Sequence, residues 1–249
     1  MHQESHYLWL KPKTHHNGIC HHLPLFYHSI ETVKQIQILY DNSTDEIKEH
    51  LKSRFGLLKL GAFLHDIGKP QTWTIEEDTG RHRFIKHDDI GSKIVVPTLK
   101  NLCFSKKQIN YIACLIKNHI YPSQVIVSQG DKDKSYMRFI RKMDDNVIDI
   151  ILIAMADRLS ARGPEITEET VNQNITGLNN LLNYYIEIKP TLKPLPVLLD
   201  GNEIMKMFNL KPSPKLGKLI NQLKEAQISG EVNTKSDAIC YINNIIGNN

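Results

Sequence analysis

The sequence LLKLGAFLHDIGKP, residues 57–70, combines an apolar helical face with an abrupt change to polar residues. Its leucines recur at three- and four-residue spacing, which is typical of a buried helix. His65 and Asp66 then stand where further core residues would be expected. Gly68 is the residue type that often ends a helix in the left-handed conformation, and Pro70 cannot continue a helix. The stretch therefore predicts the end of a buried helix that carries a His-Asp pair.

The His-Asp pair admits two interpretations. A neutral imidazole and a carboxylate at the rim of a core are costly to bury unless a partner offsets their lost hydration, and a metal ion does this. The alternative is a core histidine with satisfied hydrogen bonds beside an aspartate that caps the helix, because purely structural pairs also occur. His65 and Asp66 alone leave both interpretations open, and Lys69 adds an ammonium group next to them.

Composition restricts the class of protein. A chain of 249 residues with 41% hydrophobic and 23% charged residues fits one large globular domain, or a domain with a small appendage. Its four cysteines form no C-x-x-C motif, which disfavours a zinc knuckle and favours a reducing compartment. Neither a membrane-spanning run nor an apolar signal core is evident, so we expect a cytoplasmic protein with no membrane partner. A net charge of +4 is compatible with an anionic substrate.

Periodicity along the chain predicts helices almost throughout. One helix starts near Pro24, and a second, capped by Ser43 or Thr44, continues through Phe55 into residues 57–70. Residues 72–84 instead resemble a β-hairpin or an ordered loop. Trp73 and Phe84 in this segment could stack on a base, but we expect them to form the core of the hairpin. Pro97 should kink or shorten the helix in which it lies. Ser105 and Gln108 form a capping-box pattern, and Asp144 can cap a later helix. A long helix is predicted over residues 167–188.

The end of the chain has a different character. Pro190, Pro194 and Pro196 form a stiff connector, which is typical of a boundary between subdomains. Three shorter helical patterns follow, at about 201–208, 214–228 and 235–246. This part carries Lys215, Lys218 and Lys224, which could follow an RNA backbone, although lysines scattered over a helix surface are usually only solubilising.

Metal-competent side chains interrupt apolar helical faces at five places along the chain. These are His28, the pair His65-Asp66, His87, His119 and Asp157. Each has a simpler explanation by itself: His28 fits a partly exposed residue of a first turn, His87 an N-cap, His119 a partner of the helix dipole, and Asp157 an ion pair with a neighbouring arginine. Imidazole and carboxylate ligands without thiolate suit a divalent ion of manganese, iron, nickel, zinc, cobalt or magnesium better than a closed structural zinc site.

The order H…HD…H…H…D resembles that of the HD superfamily of metal-dependent phosphohydrolases, which are α-helical. The resemblance implies that one ion is held by His28, His65, Asp66 and Asp157. It also implies that His87 and His119 hold a second ion, which Asp66 would bridge to the first. Lys69 would then face the substrate phosphate. Arg162 follows Asp157 in the segment SARGP, and together with Lys69 it would offset the negative charge that develops on the phosphoryl group. Asp66, Lys69 and Arg162 thus form the expected catalytic set.

A closer likeness extends from about Gly18 to the end of the chain. The segments HHLPLFYHS, LGAFLHDIGKPQTW, FIKHDDIGSKI, ADRLSARGP and LLDGNEIMKMFNLKPSPKLGKLINQLKEAQISGEVNTKSDA are similar to the C-terminal half of bacterial CCA-adding tRNA nucleotidyltransferases. In that family an HD region follows the catalytic head, and a helical tail helps to hold RNA. The glycine motif and strand-borne D-x-D of the head are not found, since Asp131-x-Asp133 lies in a lysine-rich break. We therefore do not expect nucleotide addition by this chain alone.

The predicted architecture is all-α: an irregular segment over residues 1–17, an HD helical bundle over 18–190 with a small hairpin or ordered loop, and a helical tail over 195–249 that binds RNA. The predicted function is metal-dependent hydrolysis of a phosphate ester on a nucleotide or an RNA end, either a phosphomonoester or a 2′,3′-cyclic phosphate. The alternative is a non-catalytic RNA-binding or scaffolding protein that works with a separately encoded nucleotidyltransferase head. The expected partner is a nucleotide or an RNA phosphate ester, with tRNA among the candidates, and both functions imply an RNA context.

Overall fold

Helices dominate the residues that the computed structural model describes, 25–161 and 166–247. The helices are α1 (Leu25–Asp41), α2 (Asp45–Leu51), α3 (Phe55–Leu64), α4 (Lys69–Thr72), α5 (His87–Asn101), α6 (Lys106–Asn118), α7 (Tyr121–Val127), α8 (Lys132–Met143), α9 (Val147–Ser160), α10 (Glu168–Ile188), α11 (Gly201–Met207), α12 (Pro214–Ser229) and α13 (Lys235–Gly247). Two strands, β1 (Trp73–Ile75) and β2 (His82–Phe84), pair antiparallel. The all-α prediction is confirmed. The segment predicted as irregular, residues 1–17, lies outside the described part of the chain.

Helix α9 forms the centre of the main core. Every residue from Val147 to Ala156 is buried, and Asp149 is the polar exception among them. A helix that is apolar on all sides must be surrounded by other elements. Helices α1, α3, α6, α7, α8 and α10 all pack against α9. None of the helices in the described residues is long and apolar enough to cross a membrane.

Several local signals were interpreted correctly from sequence. The Ser105 side chain accepts a hydrogen bond from the Gln108 backbone N–H, and the Gln108 side-chain oxygen accepts one from the Ser105 backbone N–H, so the capping box is present. Thr167 caps the long helix α10 through its side chain. The hairpin is also confirmed. Pro97 does not shorten its helix, because α5 continues to Asn101.

Three local predictions are wrong. The helix predicted from Ser43 into residues 57–70 is divided at Arg54, whose guanidinium donates to the carbonyl oxygen of Asp145 at 3.2 Å. Asp144 does not cap α9 but starts a short 3-10 turn with a positive φ of 51°. Gly68 has right-handed dihedral angles, φ −80° and ψ −14°, rather than the left-handed ones expected.

Gly68 is required for a different reason. A Cβ atom added at this position would lie 2.1 Å from the carbonyl oxygen of His87 and 2.7 Å from the backbone nitrogen of Gly91. No side chain can be accommodated at such distances. The turn after α3 therefore packs directly on the first turns of α5, and this contact brings Asp66 next to His87. Pro70 lies in the first turn of α4, where its missing N–H costs nothing.

A buried polar network lies away from the metal-competent residues and connects α2, α6 and α9. Asp149 is fully buried, and its carboxylate accepts hydrogen bonds from Tyr111 Oη at 2.5 Å and His50 Nε2 at 2.7 Å. Arg54 Nη1 is 3.6 Å from the same carboxylate. Burial and the neighbouring Asp149 raise the pKa of Tyr111, so Tyr111 keeps its proton and remains a donor.

Asp149→Ala is expected to lower the free energy of unfolding by about 3 kcal/mol, because it leaves buried donors without their charged acceptor. Chemical denaturation with a constant m-value would measure this loss. The matched control is Asp145→Ala, an exposed aspartate whose removal should change stability by less than about 0.5 kcal/mol. Equal effects of the two substitutions would contradict a stabilising role for the network.

The C-terminal helices have a hydrophobic cluster of their own. Its buried members lie between Leu199 and Ile242 and come from α11, α12, α13 and the flanking loops. Helix α12 contacts α8 through an ion pair between Lys142 and Glu225 at 3.3 Å, and through a hydrogen bond from Arg138 to the carbonyl oxygen of Ser229 at 3.2 Å. The boundary between an HD domain ending at 190 and a tail starting at 195 stays a prediction.

Candidate metal centre

The structure brings together all six metal-competent residues predicted from sequence. They are His28 in the first turn of α1, His65 at the C-cap of α3, Asp66 in the turn that follows, His87 at the first residue of α5, His119 at the C-cap of α6, and Asp157 in the last turn of α9. Four of them are no more than 2% exposed, namely His28, His65, Asp66 and His119. Five separate segments of the chain thus meet at one point in the interior.

Four of these side chains form a first group. Nε2 of His28 lies 3.0 Å from Oδ1 of Asp157, 3.3 Å from Nε2 of His65 and 3.6 Å from Oδ2 of Asp66. Nε2 of His65 lies 3.2 Å from the same Asp66 oxygen and 3.5 Å from Oδ1 of Asp157. Two imidazole nitrogens and two carboxylate oxygens therefore point at one small volume.

The other oxygen of Asp66 belongs to a second group. Oδ1 of Asp66 lies 3.2 Å from Nε2 of His87 and 3.8 Å from Nε2 of His119. The two imidazole nitrogens are 3.3 Å apart. Asp66 thus directs one carboxylate oxygen into each group.

Backbone carbonyls orient three of the four imidazoles. Nδ1 of His65, of His87 and of His119 each lies 2.7 Å from the carbonyl oxygen of the residue three positions earlier. A carbonyl oxygen can only accept, so Nδ1 carries the proton in each ring. In the neutral form of each ring the Nε2 lone pair would then face the group, which is the arrangement that metal-binding histidines adopt.

The two carboxylates are ionised at neutral pH. Burial by itself would raise the pKa of Asp66, but the charges of His65 and Lys69 hold that pKa well below its usual value. Burial likewise opposes ionisation of Asp157, and hydrogen bonds from His28 and His65 hold its pKa well below the usual value. Negative charge is thus available in both groups.

The imidazoles of His65 and His119 differ in protonation at neutral pH. Burial lowers the pKa of His65, but Asp66 and Asp157 outweigh burial and raise this pKa to about 10. Burial and the charge of His65 lower the pKa of His119 to about 4, so His119 is neutral at pH 7. One proton on His65 thus compensates part of the buried negative charge. A divalent cation would displace that proton, because metal binding requires deprotonated ligands.

The residues fit divalent metal ions. Three overlapping sets of His and Asp ligand atoms lie within 4.8 Å of one another: His28 with His65 and Asp66, His65 with His119 and Asp157, and Asp66 with His87 and His119. Nitrogen and oxygen donors without sulfur suit manganese, iron, cobalt, nickel or zinc. The sites could hold one or two such ions, with Asp66 common to both groups.

Lys69 lies beside the centre and pairs with Asp66. Its Nζ lies 2.5 Å from Oδ2 of Asp66 and 5.6 Å from the centroid of the Phe84 ring. Arg162 lies outside the described residues. Sequence analysis missed the contribution of the hairpin, whose Phe84 carbonyl oxygen orients His87. A backbone carbonyl is present in every residue, so no sequence signal could have found it.

Comparison with known proteins agrees with this geometry. A family model described as HD domain matches residues 25–162, which is more than half of the chain. The CC-adding tRNA nucleotidyltransferase of Thermus thermophilus is 29% identical over 91% of this chain and 46% of that protein. The A-adding tRNA nucleotidyltransferase of Deinococcus radiodurans is 29% identical over 90% of this chain and 47% of that protein. The chain spans about half the length of these curated relatives, and its helical bundle, its His and Asp series and the family match show that it belongs to the HD domain family.

Proposed function

We propose that this chain is a metal-dependent phosphohydrolase that acts on a phosphate ester of a nucleotide or an RNA end. The observation that carries the proposal is the division of the Asp66 carboxylate between two groups of imidazole ligands. Two adjacent cation sites that share a carboxylate suit phosphoryl chemistry, in which the attacking and the leaving oxygen both need stabilisation. A purely structural role would not require so many ligand-competent side chains at a single buried point.

The first ion would be held by His28, His65, Asp66 and Asp157, and the second by Asp66, His87 and His119. Bound divalent ions would supply Lewis-acid chemistry, lowering the pKa of water and polarising phosphoryl oxygens. The chain's own groups would do the rest. Asp66, whose two oxygens face the two groups, would orient the nucleophile or take its proton. The Lys69 ammonium, beside Asp66, would offset negative charge on the phosphoryl group, and we assign the same role to Arg162.

The test is a hydrolysis assay on the full chain after reconstitution with manganese, iron, cobalt, nickel, zinc or magnesium. The substrates are p-nitrophenyl phosphate, bis(p-nitrophenyl) phosphate, nucleoside monophosphates and nucleoside 2′,3′-cyclic phosphates. We expect hydrolysis of the phosphate ester that requires metal. We also expect the melting temperature to rise when metal is added, because an ion that binds only the folded state stabilises it. A chain that takes up none of these metals by elemental analysis would overturn the proposal.

A second candidate function is RNA binding without catalysis, as a partner of a separately encoded nucleotidyltransferase head. The observation in its favour is the extent of the likeness, since two tRNA nucleotidyltransferases match about nine tenths of this chain. In this case the tail would carry the RNA contacts. Lys215, Lys218 and Lys224 are all exposed on α12, while the apolar face of that helix is buried in the C-terminal cluster.

Replacing Lys215, Lys218 and Lys224 together by Gln is expected to weaken tRNA binding and to reduce its salt dependence. For each phosphate contact that the variant loses, about one counterion fewer is released when tRNA binds. The steepness of log K against log salt should therefore fall by about two to three. Filter binding or fluorescence anisotropy at several salt concentrations would measure the slope. The matched control replaces Lys34, Lys52 and Lys100, which are exposed elsewhere. Equal slopes for both triple variants would show that the tail has no special part in RNA binding.

A further inference from the structure

The β-hairpin presents its aromatic side chains on one face. Trp73 pairs with Phe84, and Ile75 pairs with His82, in the antiparallel register. Paired residues point to the same side of a sheet, and so do residues two apart along a strand. These four side chains therefore share one face, while Thr74 and Arg83 lie on the other.

These side chains are not part of a hydrophobic core. We expected Trp73 and Phe84 to form the core of the hairpin, but both are only half-buried, and neither belongs to a hydrophobic cluster of the described residues. Ile75 on the same face is 52% exposed. A face with accessible aromatic rings is thus left on a two-stranded sheet that no further strand extends within the described part of the chain.

The rings are held in position rather than free to rotate. The indole N–H of Trp73 donates to Nδ1 of His82 at 2.7 Å. The two rings have their centroids 5.6 Å apart and are tilted by 31° to each other. A surface with a fixed orientation is suited to stacking, because little freedom remains to be lost when a planar ligand binds.

The aromatic face begins directly beside the metal centre. The Lys69 ammonium lies 5.6 Å from the centroid of Phe84 and 2.5 Å from Oδ2 of Asp66, so one side chain contacts both the ring and the shared carboxylate. The carbonyl oxygen of Phe84 also accepts the hydrogen bond that orients His87. A phosphate held at the centre near Lys69 would therefore have the hairpin within reach of its organic substituent.

We infer that the face formed by Trp73, Ile75, His82 and Phe84 binds the nucleobase of the substrate by stacking while its phosphate lies at the metal centre. This inference rests on the proposed function and narrows it, because it requires a base next to the reacting phosphate. Every base has a π-face, so stacking tolerates different bases. The shared chemistry is that of a nucleobase linked through ribose to a phosphate, whether in a free nucleotide or at the end of an RNA.

A fluorescence titration tests the inference without relying on turnover. The chain has two tryptophans, Trp9 and Trp73, so Trp9→Phe leaves Trp73 as the sole reporter. In this metal-loaded variant AMP is expected to quench the emission, whereas ribose 5-phosphate, which lacks a base, is not. Tighter binding of a short RNA that ends in a 3′-phosphate than of AMP would identify an RNA end as the source of the base. Tighter binding of AMP would identify a free nucleotide.

Substitutions on the face give a second measurement. Trp73→Leu and Phe84→Leu should each weaken AMP binding by about 5- to 150-fold, the range that corresponds to the stacking energy of one base on an aromatic ring. Calorimetry should find their affinity for ribose 5-phosphate unchanged. Elemental analysis should find their metal content unchanged, because the backbone carbonyl at position 84, which orients His87, survives the change. Tyr241→Leu on α13 is the matched aromatic control and should bind AMP like the wild type.

The outcomes separate the two proposals. Wild-type AMP affinity in both Leu variants, together with metal-dependent phosphate release, would overturn the stacking inference and leave the proposed function standing. Quenching of Trp73 by AMP in a chain that hydrolyses none of the phosphate esters would support the stacking site and reject the proposed hydrolase. Equal quenching by AMP and by ribose 5-phosphate would overturn the inference irrespective of catalysis.

Discussion

Asp66→Asn is expected to reduce metal-dependent phosphate release by at least about a hundredfold and to lower the metal content of the purified chain. The change removes one negative charge with almost no change in shape. Because each Asp66 oxygen faces a different group of imidazoles, both groups lose their shared anionic ligand at once. Elemental analysis and phosphate release, measured on the same preparation, would report the two effects together.

The control for this substitution is Asp145→Asn, which makes the same chemical change at an exposed position. It should leave metal content and turnover unaltered. Circular dichroism of the Asp66→Asn variant would establish that the helical fold persists. Normal metal content and normal turnover in that folded variant would remove Asp66 from the centre and contradict the proposed mechanism.

His119→Gln is expected to lower metal stoichiometry by one ion and to reduce turnover by orders of magnitude, and His87→Gln should do the same. The two imidazole nitrogens lie 3.3 Å apart and face one oxygen of Asp66, so the loss of either leaves the second group incomplete. Two ions clamp both the attacking and the leaving oxygen, and one ion cannot do this. The first group keeps all four of its ligands and should stay filled.

The simpler explanation of His87 and His119 gives a different result. If His87 were only an N-cap and His119 only a partner of the helix dipole, each change would cost at most about 1 kcal/mol of stability and would leave turnover intact. Metal counting on both variants distinguishes the cases, and unchanged stoichiometry in both would mean a mononuclear centre. His82→Gln, which alters a hairpin imidazole outside both groups, is the control for the metal count.

The sequence by itself located most of the helices and singled out the six metal-competent residues that the fold brings together. Periodicity and caps are local, since a helix repeats every three to four residues, and they located α6, α10 and the three C-terminal helices closely. The six metal-competent residues could be recognised because each interrupts an apolar face. Their likeness to a known order of His and Asp residues then connected positions that periodicity could not relate.

Tertiary contacts decided what local signals could not. Arg54 lies in the break between α2 and α3, where its guanidinium reaches the turn before α9, and Gly68 is required because the backbone of His87 lies against it. Both residues contact backbone atoms of another element, and the residues next to them in sequence carry no information about such contacts. The hairpin is a similar case, since its aromatic residues resemble a core in sequence, while no hydrophobic cluster of the described residues includes Trp73 or Phe84.

The geometry of the centre also exists only in the folded chain. His28 and Asp157 are separated by 129 positions in the sequence and by 3.0 Å in space. The division of the Asp66 oxygens between two groups depends on how α3, α5 and α6 pack, and the close contact of Gly68 with the first turns of α5 is part of that packing. Residue types carry the capacity to bind metal, but distances and orientations come from packing. The sequence therefore determined which residues could bind metal, and only the tertiary structure decided that they form two groups around one carboxylate.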